Sequence, residues 1–154
     1  MRLEQFLHPE CFIFDLQETN WEKALRRIVH VVAQKKLITN EAPVVAKLLE
    51  REKFMTTATG NGVATPRCLT DEVPALVVTV TCSRAGIDFH AFDGIPVHAV
   101  VLFLGKTGDD WMQFFALARF AQLIRDTPFI DQLLSSVCVE DMVKAFECEN
   151  KIDW

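Results

Sequence analysis

The chain has 154 residues, of which 50% are hydrophobic and 24% are charged, and its formal net charge is -5. This length suits one domain with one sizeable core, and the composition is typical of a soluble globular protein. The acidic balance argues against a broad nucleic-acid-binding surface, because such a surface needs a basic face.

Cysteine usage and hydropathy indicate a cytoplasmic protein. The five cysteines contain no C-x-x-C pair, which favours free thiols in a reducing cytosol over a zinc or redox site. The first residues lack the apolar run of a signal peptide, and the longest apolar stretch, residues 99–104, is too short to span a bilayer. We expect one domain over residues 1–154, not embedded in a membrane, with no cofactor and no metal.

The first predicted elements are a strand and a helix. Residues 11–14 read as a short strand. The segment Thr19-Asn20-Trp21-Glu22 then gives a capping-box pattern, and apolar residues follow it at helical spacing. This first helix should end near Lys35 and Lys36, whose charges suit a helix C-terminus.

A second helix and three strand candidates follow. Thr39 or Asn40 can cap the helix, and Pro43 is tolerated in its first turn. Residues 63–65 predict a strand that Pro66 should stop. Residues 75–81 and 97–104 are rich in valine and predict two further strands, with Asp93-Gly94 as a turn before the second.

The C-terminal third has a helical pattern. Three helices are predicted: from Asp109 or Asp110 to Arg125, over residues 129–134, and over residues 139–146, with Ser136 at the start of the last. This order of elements predicts a mixed sheet with helices packed on its faces. The aromatic residues of the first of these helices are expected to form a core face, with an exposed Trp111 that helps a partner to dock as the alternative; they are Trp111, Phe114, Phe115 and Phe120.

The most informative stretch combines Arg51-Glu52-Lys53 with the segment Thr56-Thr57-Ala58-Thr59-Gly60-Asn61-Gly62-Val63-Ala64-Thr65-Pro66-Arg67-Cys68. It resembles the signature of IIA domains of the bacterial sugar phosphotransferase system, of the mannitol/fructose/nitrogen-regulatory class (EIIA type 2). That signature is an Arg-Glu pair, a Ser/Thr-Thr-Gly segment, then Gly-x-Gly-Val-Ala-x-Pro-His.

The resemblance extends from about Cys11 to Phe146. Its further motifs stand in the order and spacing of the family; they are Gly86-Ile87-Asp88-Phe89, Asp93-Gly94-x-Pro96-Val97, and Leu117-Ala118-Arg119 to Leu123-Ile124-Arg125-Asp126. The resemblance implies an α+β fold, a three-layer α/β/α sandwich around a mixed β-sheet. We expect the nitrogen-regulatory branch, since a free-standing single domain without an attached transporter fits that branch.

Two positions depart from the family pattern. In such domains the histidine after proline accepts a phosphoryl group from the histidine phosphocarrier protein HPr or its nitrogen-branch relative, and a second histidine supports it. Here Arg67 stands at the acceptor position and Gln113 at the supporting position, so no catalytic pair is intact. The helix arginine that lies near the phosphate in the family is retained as Arg51.

These departures predict a regulatory protein that binds partners instead of relaying phosphate. A guanidinium has only donors, whereas a neutral imidazole has the lone pair that attacks phosphorus. We expect the surface to bind an anion or an acidic group of a protein partner, either an HPr-like phosphocarrier or a regulated target. The candidate binding residues are Arg51, Thr57, Gly60, Asn61, Gly62, Arg67 and Gln113.

Several alternatives remain open at this point. Arg67 is a solvated surface residue or a partner of Glu52 in the plainest interpretation. A working phosphocarrier needs another acceptor among the histidines or at Cys68, whose pKa a neighbouring cation can lower. An anion- or phosphometabolite-sensing module is the third hypothesis. The four histidines are His8, His30, His90 and His98; His30 is expected to pack between helices, and a metal site at His90 and His98 fits no established spacing. The oligomeric state is either monomer or dimer.

Overall fold

A computed structural model describes residues 1–152 of the chain. The helices are α1 (Trp21–Gln34), α2 (Glu41–Phe54), α3 (Asp110–Asp126), α4 (Phe129–Leu134) and α5 (Val139–Ala145). The strands are β1 (Val63–Ala64), β2 (Arg67–Thr70), β3 (Val77–Ile87) and β4 (Val97–Lys106). Short 3-10 helices lie at Leu3–Phe6, Pro9–Cys11 and Phe146–Lys151.

Strand β4 is the centre of a mixed sheet. On one side it pairs in parallel with β1 and β2, and on the other side it pairs antiparallel with β3. Val63 lies opposite Ala99 and Arg67 lies opposite Phe103, so β1 and β2 follow one line along the same edge of β4. The N-terminal segment adds isolated parallel bridges to the outer edge of β3.

The sheet separates two hydrophobic cores, which gives the three-layer α/β/α sandwich predicted from the sequence. One core packs α1 and α2 against Val100, Leu102 and Leu104 of β4. The other packs α3, α4 and α5 against the opposite face of the sheet. In this second core an edge-to-face chain of aromatic rings joins β4 to the C-terminal helices; its rings are Phe103, Phe120, Phe129 and Phe146.

The predicted helices α1 and α2 are confirmed, but their caps differ from the prediction. Asn20 caps α1 by accepting a hydrogen bond from the Lys23 amide at 3.1 Å. Neither Thr39 nor Asn40 caps α2 with its side chain. Instead Glu72, from the turn after β2, accepts both backbone amides, at 3.1 Å from Thr39 and 2.6 Å from Asn40. This long-range cap has no local sequence pattern.

One predicted strand is absent from the structure, and one observed strand was not predicted. Residues 11–14 do not form a strand: a 3-10 helix ends at Cys11, and Ile13 alone bridges to Thr81 of β3. The strand predicted over residues 63–65 is confirmed as β1, which ends before Pro66, but the pairing with β4 resumes at Arg67 as a strand that was not predicted. Pro66 lacks an N–H, but its carbonyl accepts a bond from the Phe103 amide at 3.0 Å, which keeps the chain in register with β4.

The C-terminal helices match the prediction closely, but the aromatic face of α3 does not. Phe120 is buried in the core, as expected. Trp111, Phe114 and Phe115 are 63%, 78% and 46% exposed, because they project from the side of α3 opposite to Phe120. Trp111 is therefore exposed, and its part in docking a partner stays a prediction. Within residues 1–152 no helix is long and apolar enough to cross a membrane.

Candidate functional site

Arg67 is the first residue of β2 and follows directly after the proline that interrupts the edge of the sheet. Its side chain is half-buried, and its Nη1 atom lies 3.5 Å from both the carbonyl oxygen and the hydroxyl of Thr65. These are long contacts for hydrogen bonds. In the described part of the chain Arg67 makes no ion pair with Glu52, so the plainest interpretation of Arg67 as the partner of this acid is wrong.

Arg51 and Arg67 lie close enough to influence each other electrostatically. Burial lowers the pKa of Arg67 from its ordinary value, the charge of Arg51 lowers it further, and Glu52 partly opposes both. Arg51 lies in the last turn of α2 and donates a hydrogen bond from Nη1 to the Met55 carbonyl at 2.8 Å. Two cations are thus held near one surface, and a bound negative charge would relieve their repulsion.

Glu52 holds the loop after α2 in place through hydrogen bonds to its buried carboxylate. Its buried carboxylate accepts the Thr57 amide at 2.6 Å, the Thr57 hydroxyl at 2.9 Å and the Thr56 hydroxyl at 3.1 Å. The Thr57 hydroxyl in turn accepts the amide of Thr65 at 3.2 Å. Thr57, a candidate binding residue, is therefore buried, and it connects α2 to the segment that leads into Arg67.

The loop between Gly60 and Gly62 has three consecutive residues with positive φ angles, at 157°, 62° and 74°. Glycine adopts positive φ angles without strain, and asparagine is one of the few other residues that adopt them readily. The amide of Asn61 donates to the Asp93 carboxylate at 2.9 Å, and the Gly62 carbonyl accepts the amides of His98 and Ala99. An internal carboxylate therefore already uses one of the loop amides.

Gln113 lies in the first turn of α3, and its side chain contacts the backbone of Cys68, the residue after Arg67. Its Nε2 atom donates to the carbonyl of Cys68 at 2.8 Å and to that of Phe103 at 3.3 Å. Gly105 leaves the space for this amide, since a Cβ atom there would lie 2.9 Å from Nε2. The side chain thus spans β2 and β4 at the point where Arg67 begins its strand.

The thiol of Cys68 does not have the lowered pKa that the sequence suggested. Burial raises the pKa of Cys68 to about 11, and the charge of Lys47 only partly opposes this shift. The ammonium group of Lys47 donates a hydrogen bond to the Leu69 carbonyl at 2.9 Å. At neutral pH the thiol stays protonated, which makes it a poor nucleophile.

The histidines have local partners. His30 links α1 to α2 through a contact of 3.1 Å between Nδ1 and Glu41, as expected for a residue between helices. His98 Nδ1 lies 2.8 Å from the Ser83 carbonyl, and His90 lies beside Asp88. Among residues 1–152 no group of three histidine, cysteine or acidic side chains is arranged to hold a metal ion.

Two residues of the site have roles that sequence reasoning missed. The sequence suggested Glu52 as half of an Arg-Glu pair or as a partner of Arg67, and Asp93 as part of a turn, but not the contacts that they make here. Thr56 and Thr57 follow the end of α2 at Phe54, so no helical spacing in the sequence indicated their contacts with Glu52. The bond from Asn61 to Asp93 joins segments far apart in sequence and leaves no local signal.

The family model of the phosphoenolpyruvate-dependent sugar phosphotransferase system, EIIA 2, matches residues 5–148. A nitrogen regulatory protein of Bradyrhizobium diazoefficiens is 33% identical over 138 residues, which cover 88% of each chain. This chain belongs to the EIIA type-2 family. The resemblance noted in the sequence is thereby confirmed, and within the family the chain is similar to nitrogen regulatory proteins.

Solved structures of the EIIA type-2 family share the fold. The nitrogen regulatory protein IIA-Ntr of Neisseria meningitidis superposes with a TM-score of 0.84 at 19% identity, covering 94% of this chain and 98% of that one. The mannitol IIA enzyme of Escherichia coli, solved in complex with phosphorylated enzyme IIB, gives a TM-score of 0.69 at 17% identity, covering 89% and 94% of the two chains.

Proposed function

We propose that this protein is a nitrogen-regulatory-type IIA protein that accepts no phosphoryl group at residue 67 and acts by binding other proteins. The observation that carries the proposal is the half-buried guanidinium of Arg67 at the first residue of β2, the position that the family resemblance assigns to the acceptor histidine. The surface around Arg67 would then serve recognition without transfer.

The chemistry of the side chain supports this proposal. Phosphoryl transfer to a protein nitrogen needs a lone pair at neutral pH, which imidazole has. A guanidinium has a pKa above ~12 and presents only N–H groups, so it offers none. Burial and Arg51 lower the pKa of Arg67, but a shift in this direction leaves an arginine protonated under physiological conditions.

The position of Gln113 supports the same conclusion. An amide cannot take up or release a proton as a supporting histidine can. Both hydrogen bonds from its nitrogen go to backbone carbonyls of the sheet, so its contribution is to hold β2, β4 and α3 together. A structural contact at the position that the resemblance assigns to the supporting histidine is consistent with a protein that does not transfer phosphate.

The partner proposed for this surface is a protein with an acidic or phosphorylated group. Two nearby cations, Arg51 and Arg67, suit such a group, and an Arg fork can bind a carboxylate or phosphate through two bonds. The mannitol IIA enzyme solved with phosphorylated IIB is an example of this fold in a protein complex. An HPr-like phosphocarrier and a regulated target protein are the two kinds of partner considered.

Incubation with phosphoenolpyruvate, the first enzyme of the phosphotransferase system and HPr tests the central claim. We expect acid-labile phosphate on HPr, which serves as the internal positive control, and none on this chain. Phosphate on this chain that turns over with HPr would contradict the proposal and favour a phosphocarrier that uses another acceptor. The site of attachment, located by peptide mapping under alkaline conditions, would then identify that acceptor.

The double variant Arg67→His with Gln113→His is the matched gain-of-function experiment. If only these two residues separate the chain from a working carrier, the double variant should accept phosphate from phosphorylated HPr, whereas Gln113→His alone should not. Transfer to the single variant Gln113→His would show that residue 67 is not the position that matters.

The mutual influence of Arg51 and Arg67 favours a second candidate, an anion-sensing module. Calorimetric titration with inorganic phosphate should then show binding that Arg67→Ala abolishes and that Arg27→Ala, an exposed arginine on α1, leaves intact. Equal heats for the wild-type protein and Arg67→Ala would exclude this candidate without touching the first proposal.

A further inference from the structure

The solvent-facing side of α3 has a stripe of side chains that changes along the helix, with large aromatic residues first and non-aromatic residues after them. Its N-terminal half has three exposed aromatic side chains, Trp111, Phe114 and Phe115. The rest of the stripe has no aromatic residue. It has two small side chains, Ala118 and Ala121, and two long flexible ones, Gln122 and Arg125. The spacing from Trp111 through Phe115 and Ala118 to Arg125 follows one face of the helix.

The aromatic half of the stripe is a contiguous exposed apolar patch of the size at which interaction sites are found. With Trp111, Phe114 and Phe115 at 63%, 78% and 46% exposure, the three rings present roughly 400 Å² to water. The largest apolar patch on a typical monomer is about 300–600 Å², and such patches often mark an interaction site. This surface is therefore a candidate interface.

The stripe is complementary to itself when one copy is turned around. In an antiparallel pair of α3 helices centred on Ala118, Trp111 meets Arg125 of the other copy. Phe114 then meets Gln122, and Phe115 meets Ala121. Each large ring then faces a small or extended side chain, so the sizes of the facing residues are complementary.

Two features of this arrangement favour a two-fold contact. Ala118 faces its own symmetry mate at the axis, where a small side chain lets the helices approach closely. The Arg125 guanidinium, whose side chain is 69% exposed beside Asp126, can lie over the indole of Trp111 from the other copy as a cation–π contact. In an isologous interface, Trp111 of the first copy contacts Arg125 of the second, and Arg125 of the first copy contacts Trp111 of the second.

We propose that this protein forms a two-fold homodimer through α3, with Ala118 at the axis and Trp111 against Arg125 of the second copy. The aromatic rings alone contribute on the order of 800 Å² over both copies, and the alanines and flanking side chains bring the total past the ~1,000 Å² of a specific interface. Arg51 and Arg67 take no part in this contact, so its test is separate from that of the proposed function.

Sedimentation equilibrium of the full chain tests the proposal. Over a range from about 1 to 200 μM, which brackets a micromolar dissociation constant, the mean mass should rise from the 17.5 kDa of the monomer towards twice that value. A mass of one chain over the whole range would overturn the proposal.

Substitution at the axis locates the interface. Ala118→Arg places two like charges against each other, so the dissociation constant should rise at least roughly a hundredfold. Ala46→Arg, the same change at an exposed position of α2 in the opposite layer, should leave dimerisation unchanged. A dimer that Ala118→Arg leaves intact would place the contact elsewhere and overturn the proposal.

A mixing experiment distinguishes a lost interface from a lost fold. Ala118→Arg and Ala118→Glu should each be monomeric, and an equimolar mixture should give a heterodimer of the two chains in native mass spectrometry. Opposite charges restore the contact only if residue 118 faces itself across the axis. A mixture that stays monomeric would contradict the two-fold arrangement.

Discussion

The side-chain amide of Gln113 donates a hydrogen bond of 2.8 Å to the carbonyl of Cys68, the residue directly after Arg67. Helix α3 is thereby attached to the edge strand at the candidate site. The same nitrogen also reaches the carbonyl of Phe103 in β4. The geometry of the surface around Arg67 thus depends on a polar contact that is almost fully buried.

Replacement of Gln113 by alanine should lower the free energy of unfolding. The change removes two hydrogen bonds to carbonyls that keep only their partners in the β2–β4 pairing, and at a net value of roughly 0.5–1.5 kcal/mol per bond the loss is about 1–3 kcal/mol. Urea denaturation at one fixed protein concentration measures the effect. Gln34→Ala, at an exposed glutamine in the last turn of α1, is the control and should change the value by less than about 0.5 kcal/mol.

Gly105→Ala should destabilise the same contact from the other side. A Cβ atom at residue 105 would lie 2.8 Å from Leu69 Cδ2 and 2.9 Å from Gln113 Nε2, so we expect a loss of about 1–3 kcal/mol. In a Gln113→Ala background one of the two clashes disappears. The double variant should therefore lose less stability than the sum of the single variants, and strict additivity would show that the two residues are not coupled.

Glu52→Gln should loosen the loop between α2 and β1. The buried carboxylate accepts one amide and two hydroxyl groups, and hydrogen bonds to a charged group contribute about 1.5–3 kcal/mol. Hydrogen exchange at the amides of Thr57 and Thr65 reports on the loop directly and should become faster. Glu50→Gln, an exposed glutamate of the same helix, should leave these amides unchanged.

Asp93 should contribute a pH-dependent part of the stability. The amides of Ile95 and Asn61 donate to its carboxylate and hold the pKa of Asp93 below its ordinary value. A carboxyl group with a depressed pKa stabilises the fold above its unfolded pKa of about 3.9, and the contribution is lost as the pH falls through the lower folded value.

The comparison of wild-type protein with Asp93→Asn measures this contribution. The difference between their urea midpoints should be present at pH 7 and should shrink as the pH falls below about 4. Asp71→Asn, an exposed aspartate in the turn after β2, should show no comparable loss. A midpoint difference for Asp93→Asn that stays constant down to acid pH would contradict the prediction. The two amides would then not stabilise the ionised carboxylate over the protonated one.

Cys68 should react slowly with iodoacetamide at pH 8. With a pKa of about 11, only on the order of one thiol in a thousand is ionised at this pH, against roughly a quarter of an ordinary thiol with a pKa near 8.5. Its alkylation rate, followed by mass spectrometry of the Cys68 peptide, should rise about tenfold per pH unit up to pH 10. Glutathione in the same tube is the reference, and an equally fast Cys68 would contradict the pKa shift.

The parts of the fold that the sequence predicted are those with regular spacing and local signals. The apolar periodicity of α1 through α5 located each helix to within a residue or two, and Asn20 marked the start of α1. The layer order and the neighbourhood of Arg67 with Gln113 came from the family resemblance, because no local pattern relates β2 to α3. Apolar periodicity locates single helices and strands, whereas the family resemblance indicated which of them pack together.

The parts that were missed depend on contacts between distant segments. Strand β2 was hidden because Pro66 was taken as a stop, although its carbonyl continues the pairing with β4. The cap of α2 by Glu72 and the bond from Asn61 to Asp93 join residues about thirty positions apart. The exposed aromatic face of α3 was misjudged because large apolar residues usually lie inside the fold, whereas Trp111, Phe114 and Phe115 are exposed.

The central place of β4 also determines when the sheet can form during synthesis. Strands β1 and β2 find their parallel neighbour in β4, and β3 finds its antiparallel neighbour there, so their pairing waits until residues 97–106 have left the ribosome. Until then the nascent chain has a helical hairpin from α1 and α2 whose apolar side lacks its sheet. Newly made chains are therefore most vulnerable to proteases and aggregation just before β4 emerges.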